Sequence, residues 1–288
     1  MFLGTRVKTI VNSALKRFGL RLETLTAERR ESARLLALHE GGYFDRPIYP
    51  VPPSFQTSFV QLLFADLSLY ADRFRDLAQA SRNPVGYSFD NDYFSSPDAE
   101  VLYCMVRRHK PRRILEVGSG NSTKIFRLAL MDGGIDSRLV SIDPRPRVAI
   151  DGLVDDCIHE SVENLEDFAE FSALSENDIL FIDSSHELRP GNDGTFLYLR
   201  VFPMLKPGVL VHIHDIFLPF DYRSDWVREH LRPYTEQYIV QALLQTNESI
   251  EVIWPGYYLQ RTHAQFSHQF PHRNGRDAQS LWLRICAK

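Results

Sequence analysis

From Arg113 onward, short apolar runs alternate with longer stretches of helical periodicity, and no other feature restricts the fold so strongly. RILEVG (113–118), RLVSID (138–143), DDCIHES (155–161), DILFID (178–183), VLVHIH (209–214), IEVIW (250–254) and SLWLRICA (280–287) read as strands. NSTKIFRLALM, ENLEDFAEFSAL, GTFLYLRVFPML and TEQYIVQALL fill most of the gaps as helices. Such alternation predicts an α/β fold with a parallel sheet and helices on both faces. The early strands are continuous and β-branched, which suits burial on both sides. In sheets of this kind ligands collect at the carboxyl ends of the strands, where the strand order reverses. Strand ends are therefore where chemistry is expected.

The first third of the chain has another character. Residues 1 to about 40 read as helical, and GGYFDRPIYPVPPSF then breaks the pattern with prolines, glycines and aromatics. Helical spacing resumes from Gln56 to Ala80, and NPVGYSFDNDYF is irregular again. At Ser96-Pro97 a helix start is expected, with the serine as cap and the proline in first position, running to about His109. The expected division is an N-terminal helical extension over 1–95, serving as a cap or an oligomer contact, and a main domain over 96–288.

Composition removes several classes. The 288 residues are 44% hydrophobic and 24% charged with a net charge of -4, which gives no electrostatic reason to expect nucleic acid. Cys104, Cys157 and Cys286 are far apart without C-x-x-C spacing, so reduced thiols are expected. No run approaches the roughly 18 apolar residues of a membrane span. VKTIVNSALKRFGLRL sets Lys8, Lys16, Arg17 and Arg21 beside an apolar stripe, without a signal peptide's apolar core and cleavage site. A helix packed on the domain or a partner subunit fits this stretch, and so does weak contact with a membrane surface. A cytoplasmic protein is expected, peripheral at the inner membrane face if that contact forms.

Five strand ends carry candidate residues. The first, 116-EVGSGNST-123, turns into a helix at Gly118 and Gly120, where missing Cβ atoms let a ligand approach the backbone. Asn121 and Ser122 stand at a helix start whose amides attract polar or anionic groups. Thr123 replaces the third glycine of a dinucleotide fingerprint, which argues against an NAD-type oxidoreductase. Asp143 ends the second strand where nucleotide-binding domains place an acid for ribose hydroxyls. After the third strand, Glu160 and Ser161 are candidates for reading an adenine edge, and a helix cap accounts for them equally. The fourth strand ends at Asp183, with His186, Glu187 and Arg189 close behind. The fifth strand, within 207-PGVLVHIHDIFLPFDY-222, ends in His212, His214 and Asp215. If strands four and five are neighbours their ends lie roughly 5 Å apart, and Asp183, His214 and Asp215 could meet on one divalent cation. His212, deeper in the strand, is expected to be a hydrogen-bonded core residue.

LEVGSGNST, SIDP, DILFIDSSH, LKPGVLVHIHDIF and IEVIW together resemble class I S-adenosylmethionine (SAM)-dependent methyltransferases over residues 96–288. The branch most resembled is that of macrocin O-methyltransferases and cephalosporin-hydroxylase-like proteins. The resemblance implies a Rossmann-like seven-stranded sheet in the order 3-2-1-4-5-7-6 with the last strand antiparallel. It implies that Glu116, Gly118 and Gly120 cradle the methionine part of SAM while Asp143 takes the ribose. It further implies a divalent metal, magnesium or manganese among others, on Asp183 and an acidic pair after strand five. Asp215 matches the second member of that pair, and His214 stands in place of the first; imidazole suits manganese, iron or zinc better than magnesium. The expected activity is O-methylation of a sugar or other small-molecule or glycoconjugate hydroxyl, with Asp183 as base or ligand and His186 as reserve base. Aromatic loops between Tyr43 and Phe94 would wall the substrate, and Arg189 would meet an anionic one. An inactive SAM-binding subunit and a different nucleotide-dependent enzyme are the rival readings.

Overall fold

The structure, a computed structural model, describes residues 3–23, 25–78 and 82–287. Helices α1 (Leu3–Leu15), α2 (Thr26–Glu40), α3 (Phe59–Leu69), α4 (Ala71–Leu77) and α5 (Asp98–His109) precede the sheet. The strands are β1 (Arg113–Val117), β2 (Arg138–Ile142), β3 (Asp156–Ile158), β4 (Ile179–Ile182), β5 (Leu210–Ile213), β6 (Ile250–Pro255) and β7 (Leu281–Ile285). Between and after them lie α6 (Asn121–Gly133), α7 (Ala169–Ala173), α8 (Asp193–Phe196), α9 (Ser224–Arg228), α10 (Glu236–Thr246), α11 (Gly256–Thr262) and α12 (Phe266–Gln269).

All seven strands join one sheet in the order β3-β2-β1-β4-β5-β7-β6. The first five strands pair in parallel, and β7 is antiparallel to both β5 and β6. This is the Rossmann-like topology that the sequence resemblance implied. The pleat sorts the core into two layers. Ile114, Ile179, Phe181 and Leu210 pack on one face with residues of α3, α5 and α6. Leu115, Val117, Leu180, Ile182, Val211 and Ile213 face the other layer with Phe196, Tyr198 and Val240. One register row, Ser141, Glu116, Phe181, His212, Trp282 and Trp254, crosses the sheet. It therefore carries three polar residues, Ser141, Glu116 and His212, through a buried layer.

Several helices differ from the sequence reading for local reasons. The helix expected at Ser96-Pro97 begins at Asp98, and the Ser96 hydroxyl donates to Glu100 at 2.7 Å instead of capping the backbone. The helix expected over Gln56–Ala80 is two helices that meet at Tyr70; its expected end at Ala80 lies outside the described residues. ENLEDFAEFSAL closes a 3-10 turn over Val162–Asn164 and then yields the short α7, whose first amide is taken by the Asp167 carboxylate. GTFLYLRVFPML holds one α turn, then a π turn over Leu197–Val201 and a 3-10 turn over Phe202–Met204. Pro203, with no N–H to donate, sits in that last turn.

The chain forms two compact units. The larger comprises Pro47–Tyr222 and the residues from Pro233 onward, and holds the whole sheet. The smaller comprises the residues up to Arg46 with Arg223–Arg232. Inside the smaller unit, Ser224 Oγ meets His39 Nδ1 at 3.0 Å, and the Arg232 guanidinium lies 3.9 Å from the Trp226 ring centroid. Cys104, Cys157 and Cys286 are free thiols, as expected. Among the described residues no helix is long and apolar enough to cross a membrane.

Candidate active site

A cavity of about 510 Å³ opens at the carboxyl ends of β1, β2 and β4, the place where β1 has neighbours on both sides. Its wall includes Gly118, Gly120, Asn121 and Ser122 from the first strand end, Asp143 from the second and Asp183 from the fourth. Gly118 has φ +82°, and a Cβ there would stand 1.9 Å from the Asp183 carbonyl oxygen. Only glycine satisfies that turn and that contact together. Gly120 differs. Its backbone is extended, and a Cβ there would meet no protein atom within 4 Å. The space its missing side chain leaves belongs to the cavity.

Beneath this loop lies Glu116, fully buried. Ser122 and Thr123 each donate a hydroxyl to one of its oxygens at 2.6 Å, and Thr123 Oγ1 accepts from the Gly120 amide at 3.0 Å. Burial pushes the Glu116 carboxyl up to about 8, against the pull of those two hydrogen bonds. Glu116 therefore shapes the loop from below, and Gly118, Gly120 and Ser122 stand between it and the cavity wall. Asp143 accepts from the Ser119 amide and hydroxyl at 2.8 and 2.9 Å and from the Arg145 amide at 2.7 Å. These bonds fix the carboxylate at the cavity edge.

The second half of the site is a buried charge cluster. Because β4 and β5 are adjacent in register, Ile182 opposite Ile213, the residues just past them meet. His214 Nδ1 lies 3.2 Å from Asp215 and 3.7 Å from Asp183, and its Nε2 lies 3.8 Å from Asp98. His186 Nε2 lies 3.2 Å from Asp183 and 3.4 Å from Asp215, and its Nδ1 is 2.9 Å from Glu236. Asp215 and His186 both adopt left-handed backbone, φ +56° and +60°, which turns their side chains into the cluster. Asp183 alone of these residues keeps access to the cavity, with 28% of its side chain exposed.

Charge states follow from this packing. Burial works to discharge His186, but Asp215, Asp183 and Glu236 outweigh it and hold the imidazole well above its ordinary value. Burial is likewise outweighed at His214 by Asp183 and Asp215. At Asp183 burial works to raise the pKa, and the His214 and His186 charges hold the carboxyl below the usual carboxylate range. His212 behaves oppositely: burial, then the His214 charge, keeps it well below its ordinary value. It lies flat on Phe181 at 3.9 Å and meets Ser280 Oγ at 2.9 Å, the core role expected of it.

The structure brings Gly118, Gly120, Asn121, Ser122, Asp143, Ser161 and Asp183 to one cavity. Glu160 is exposed and off the wall; Glu163, on the turn after Ser161, lines it instead. His186 is buried off the cavity wall, its ring nitrogens facing Asp183 and Glu236. Among the described residues no three His, Cys, Asp or Glu side chains are disposed to hold a metal ion. Asp183, His214 and Asp215, the expected set, do lie together, His214 Nδ1 being 3.7 Å from Asp183 and 3.2 Å from Asp215. Arg189 lines the cavity as expected, joined by Arg145, Arg147, Tyr93 and Phe94. Sequence reading missed Asp98 and Glu236. Each opens a helix far along the chain, and an acid in a first turn reads as ordinary helix chemistry.

Residues 115–216 match a family model described as a methyltransferase domain, a span that begins in β1 and ends just past Asp215. The strand order is the one that the sequence resemblance to class I SAM-dependent methyltransferases implied. Among solved structures, the chain is similar to the SAH-bound methyltransferase PaMTH1 of Podospora anserina. The two share 19% identity, with 83% of this chain and 99% of that chain covered and a TM-score of 0.45. It is also similar to cmcI, solved with Mg and SAM, at 19% identity over 71% of this chain and 81% of that one, TM-score 0.41. No curated protein matches the chain closely enough to count as a relative.

Proposed function

We propose that the chain transfers a methyl group from SAM to a hydroxyl oxygen of a small-molecule or glycoconjugate acceptor, a sugar hydroxyl being the foremost class. The observation that carries this reading is that a single cavity is lined at once by the glycine loop, Asp143 and Asp183. The open space at Gly120 suits the aminoacyl part of SAM, and Asp143 can accept from a ribose hydroxyl at the position its three loop bonds leave on Oδ1. Bound SAM would supply an electrophilic methyl on a positively charged sulfur.

What the chain adds is alignment and a proton acceptor. Asp183 sits where an acceptor hydroxyl would enter, and His186 and His214 hold it ionised. A carboxylate of such low basicity takes the proton late, as the forming C–O bond turns the hydroxyl into a strong acid. Arg145 and Arg147 stand at the opening with Glu163 and Asp193, and Arg189 there is paired with Glu187, so the lining favours a polar acceptor without selecting its charge. The test is calorimetric titration with SAM, followed by labelled-methyl transfer to a panel of sugar and glycolipid acceptors. Transfer to a hydroxyl is expected; a rate undiminished by exhaustive chelation would mean that the imidazoles alone balance the carboxylates. Loss on chelation with recovery on metal add-back would put a cation in the cluster.

We infer also a peripheral contact between α1 and an anionic membrane surface. No described side chain of α1 is buried, and Val7 and Ile10, with Phe18 and Leu20 beyond it, are exposed beside Lys8, Lys16, Arg17 and Arg21. A helix this short is marginal in water without a partner for its apolar face. The flanking cations favour anionic lipid and oppose pairing of this face with its own copy. Flotation with phosphatidylglycerol vesicles should carry the protein, while phosphatidylcholine vesicles and the variant Ile10→Glu with Phe18→Glu should not. Concentration-dependent dimerisation through the same residues, without flotation, would overturn it.

A further inference from the structure

Behind His186, on the side away from the cavity, lies a carboxylate with no access to solvent or substrate. Glu236 is 1% exposed. One oxygen faces His186 Nδ1 at 2.9 Å, and the other accepts from the Tyr198 hydroxyl at 2.8 Å. Tyr198 belongs to the π turn after α8, and Glu236 opens α10, so three distant segments meet at this point. The loop itself is clamped to the same helix start. The amides of Thr235 and Glu236 donate to the His186 carbonyl at 2.8 and 3.1 Å, and Thr235 Oγ1 accepts from the Leu188 amide at 2.8 Å.

We propose that Glu236, seated by Tyr198, is a positioning residue that fixes the His186 ring and, through it, the Asp183 and Asp215 carboxylates. A buried carboxylate is costly unless fully paired, and an apolar residue would fill the same space at less cost. The pairing here has a directional result. With Nδ1–H committed to Glu236, Nε2 is the only ring atom left to face the site, and it reaches Asp183 at 3.2 Å and Asp215 at 3.4 Å. Second carboxylates of this kind set which imidazole nitrogen is presented to a reaction centre. The left-handed backbone of His186 shows that the chain holds the ring there against its local preference.

The proposal rests on Asp183 as the proton acceptor, so its test has an arm that needs no turnover. In side-chain ¹⁵N–¹H spectra of the full chain, the His186 Nδ1 proton should appear as a slowly exchanging, strongly deshielded signal, assigned with His186→Gln. It should shift in Tyr198→Phe and vanish in Glu236→Leu. Using SAM and the best acceptor of the panel, kcat should fall on the order of 10- to 100-fold in Glu236→Leu, with KM and SAM affinity unchanged. Glu236→Gln, whose amide oxygen still accepts, should fall in between, and it keeps the test open if the leucine variant does not fold. An unmoved Nδ1 signal in Glu236→Gln and Tyr198→Phe would overturn the proposal. So would a loss of SAM affinity equal to the loss of kcat, the mark of a merely structural role. If the wild type neither binds SAM nor transfers methyl, the functional reading fails while the spectra still decide the positioning.

Discussion

The two halves of the cavity solve the same problem in opposite ways. At the ends of β1 and β2 the binding surface is mostly backbone, and its one carboxylate, Asp143, is already held by loop hydrogen bonds from Ser119 and Arg145. At the ends of β4 and β5 the surface includes the carboxylate of Asp183, behind which ionised side chains hold one another. The first half offers shape and amides, which suit a cofactor bound the same way in every cycle. The second half offers charge, which suits a proton that must leave. His212 and His214 show the boundary within one strand. Two residues apart and both buried, one is kept neutral among aromatic rings and the other charged among carboxylates.

That contrast can be broken most sharply at Asp183. Asp183→Asn should cut methyl transfer by about 10²–10⁴-fold while calorimetry finds SAM affinity unchanged; retained turnover would remove its role as proton acceptor. The other half should fail in the other way. Gly118→Ala forces a side chain into left-handed backbone, at about 1–2 kcal/mol, and onto the Asp183 carbonyl oxygen. SAM affinity and melting temperature should both drop, and unaltered affinity would mean that the cavity is not the SAM site.

A third, smaller effect comes from the floor between the halves. Burial pushes Glu116 and Glu100 each up to about 8 from 4.5. The native state holds those protons more tightly than the unfolded chain, so their contribution is complete below pH 4.5 and lost as pH rises toward 8. His186 and His214, raised above 6.5, add to the loss at higher pH, whereas lowered Asp183 withdraws stability only below 3.8. Melting temperature should fall between pH 5 and 8, and Glu116→Gln should flatten that slope. An unchanged slope would show Glu116 to be ionised where it sits. Least of all, Glu160→Ala should leave SAM affinity within about twofold, since surface changes away from such features rarely exceed ~0.5 kcal/mol. A larger loss would return Glu160 to the cavity wall.

The same contrast explains what could be read from the chain. The parallel sheet followed from alternating patterns and its strand order from a family likeness alone, and the glycine loop is legible because its geometry is local to Gly118 and Gly120. Asp183 and Asp215 stood out as acids closing apolar runs. Glu236 and Asp98 did not, because their meaning depends on which strand end each helix start packs against, and no short-range pattern records that. The burial of Glu116 is legible in part: strand alternation points it into the core row with Phe181 and His212. The short α7 and the π turn after α8 were hidden by helical periodicity that Asp167 and Pro203 interrupt.

The most direct test of the account is calorimetric titration of SAM into the wild type and into Asp143→Ala. One-to-one binding to the wild type, weakened at least about tenfold in the variant, as for a lost charge-assisted hydrogen bond worth ~1.5–3 kcal/mol, is the predicted result. No binding to the wild type, or equal affinity in both, would contradict it.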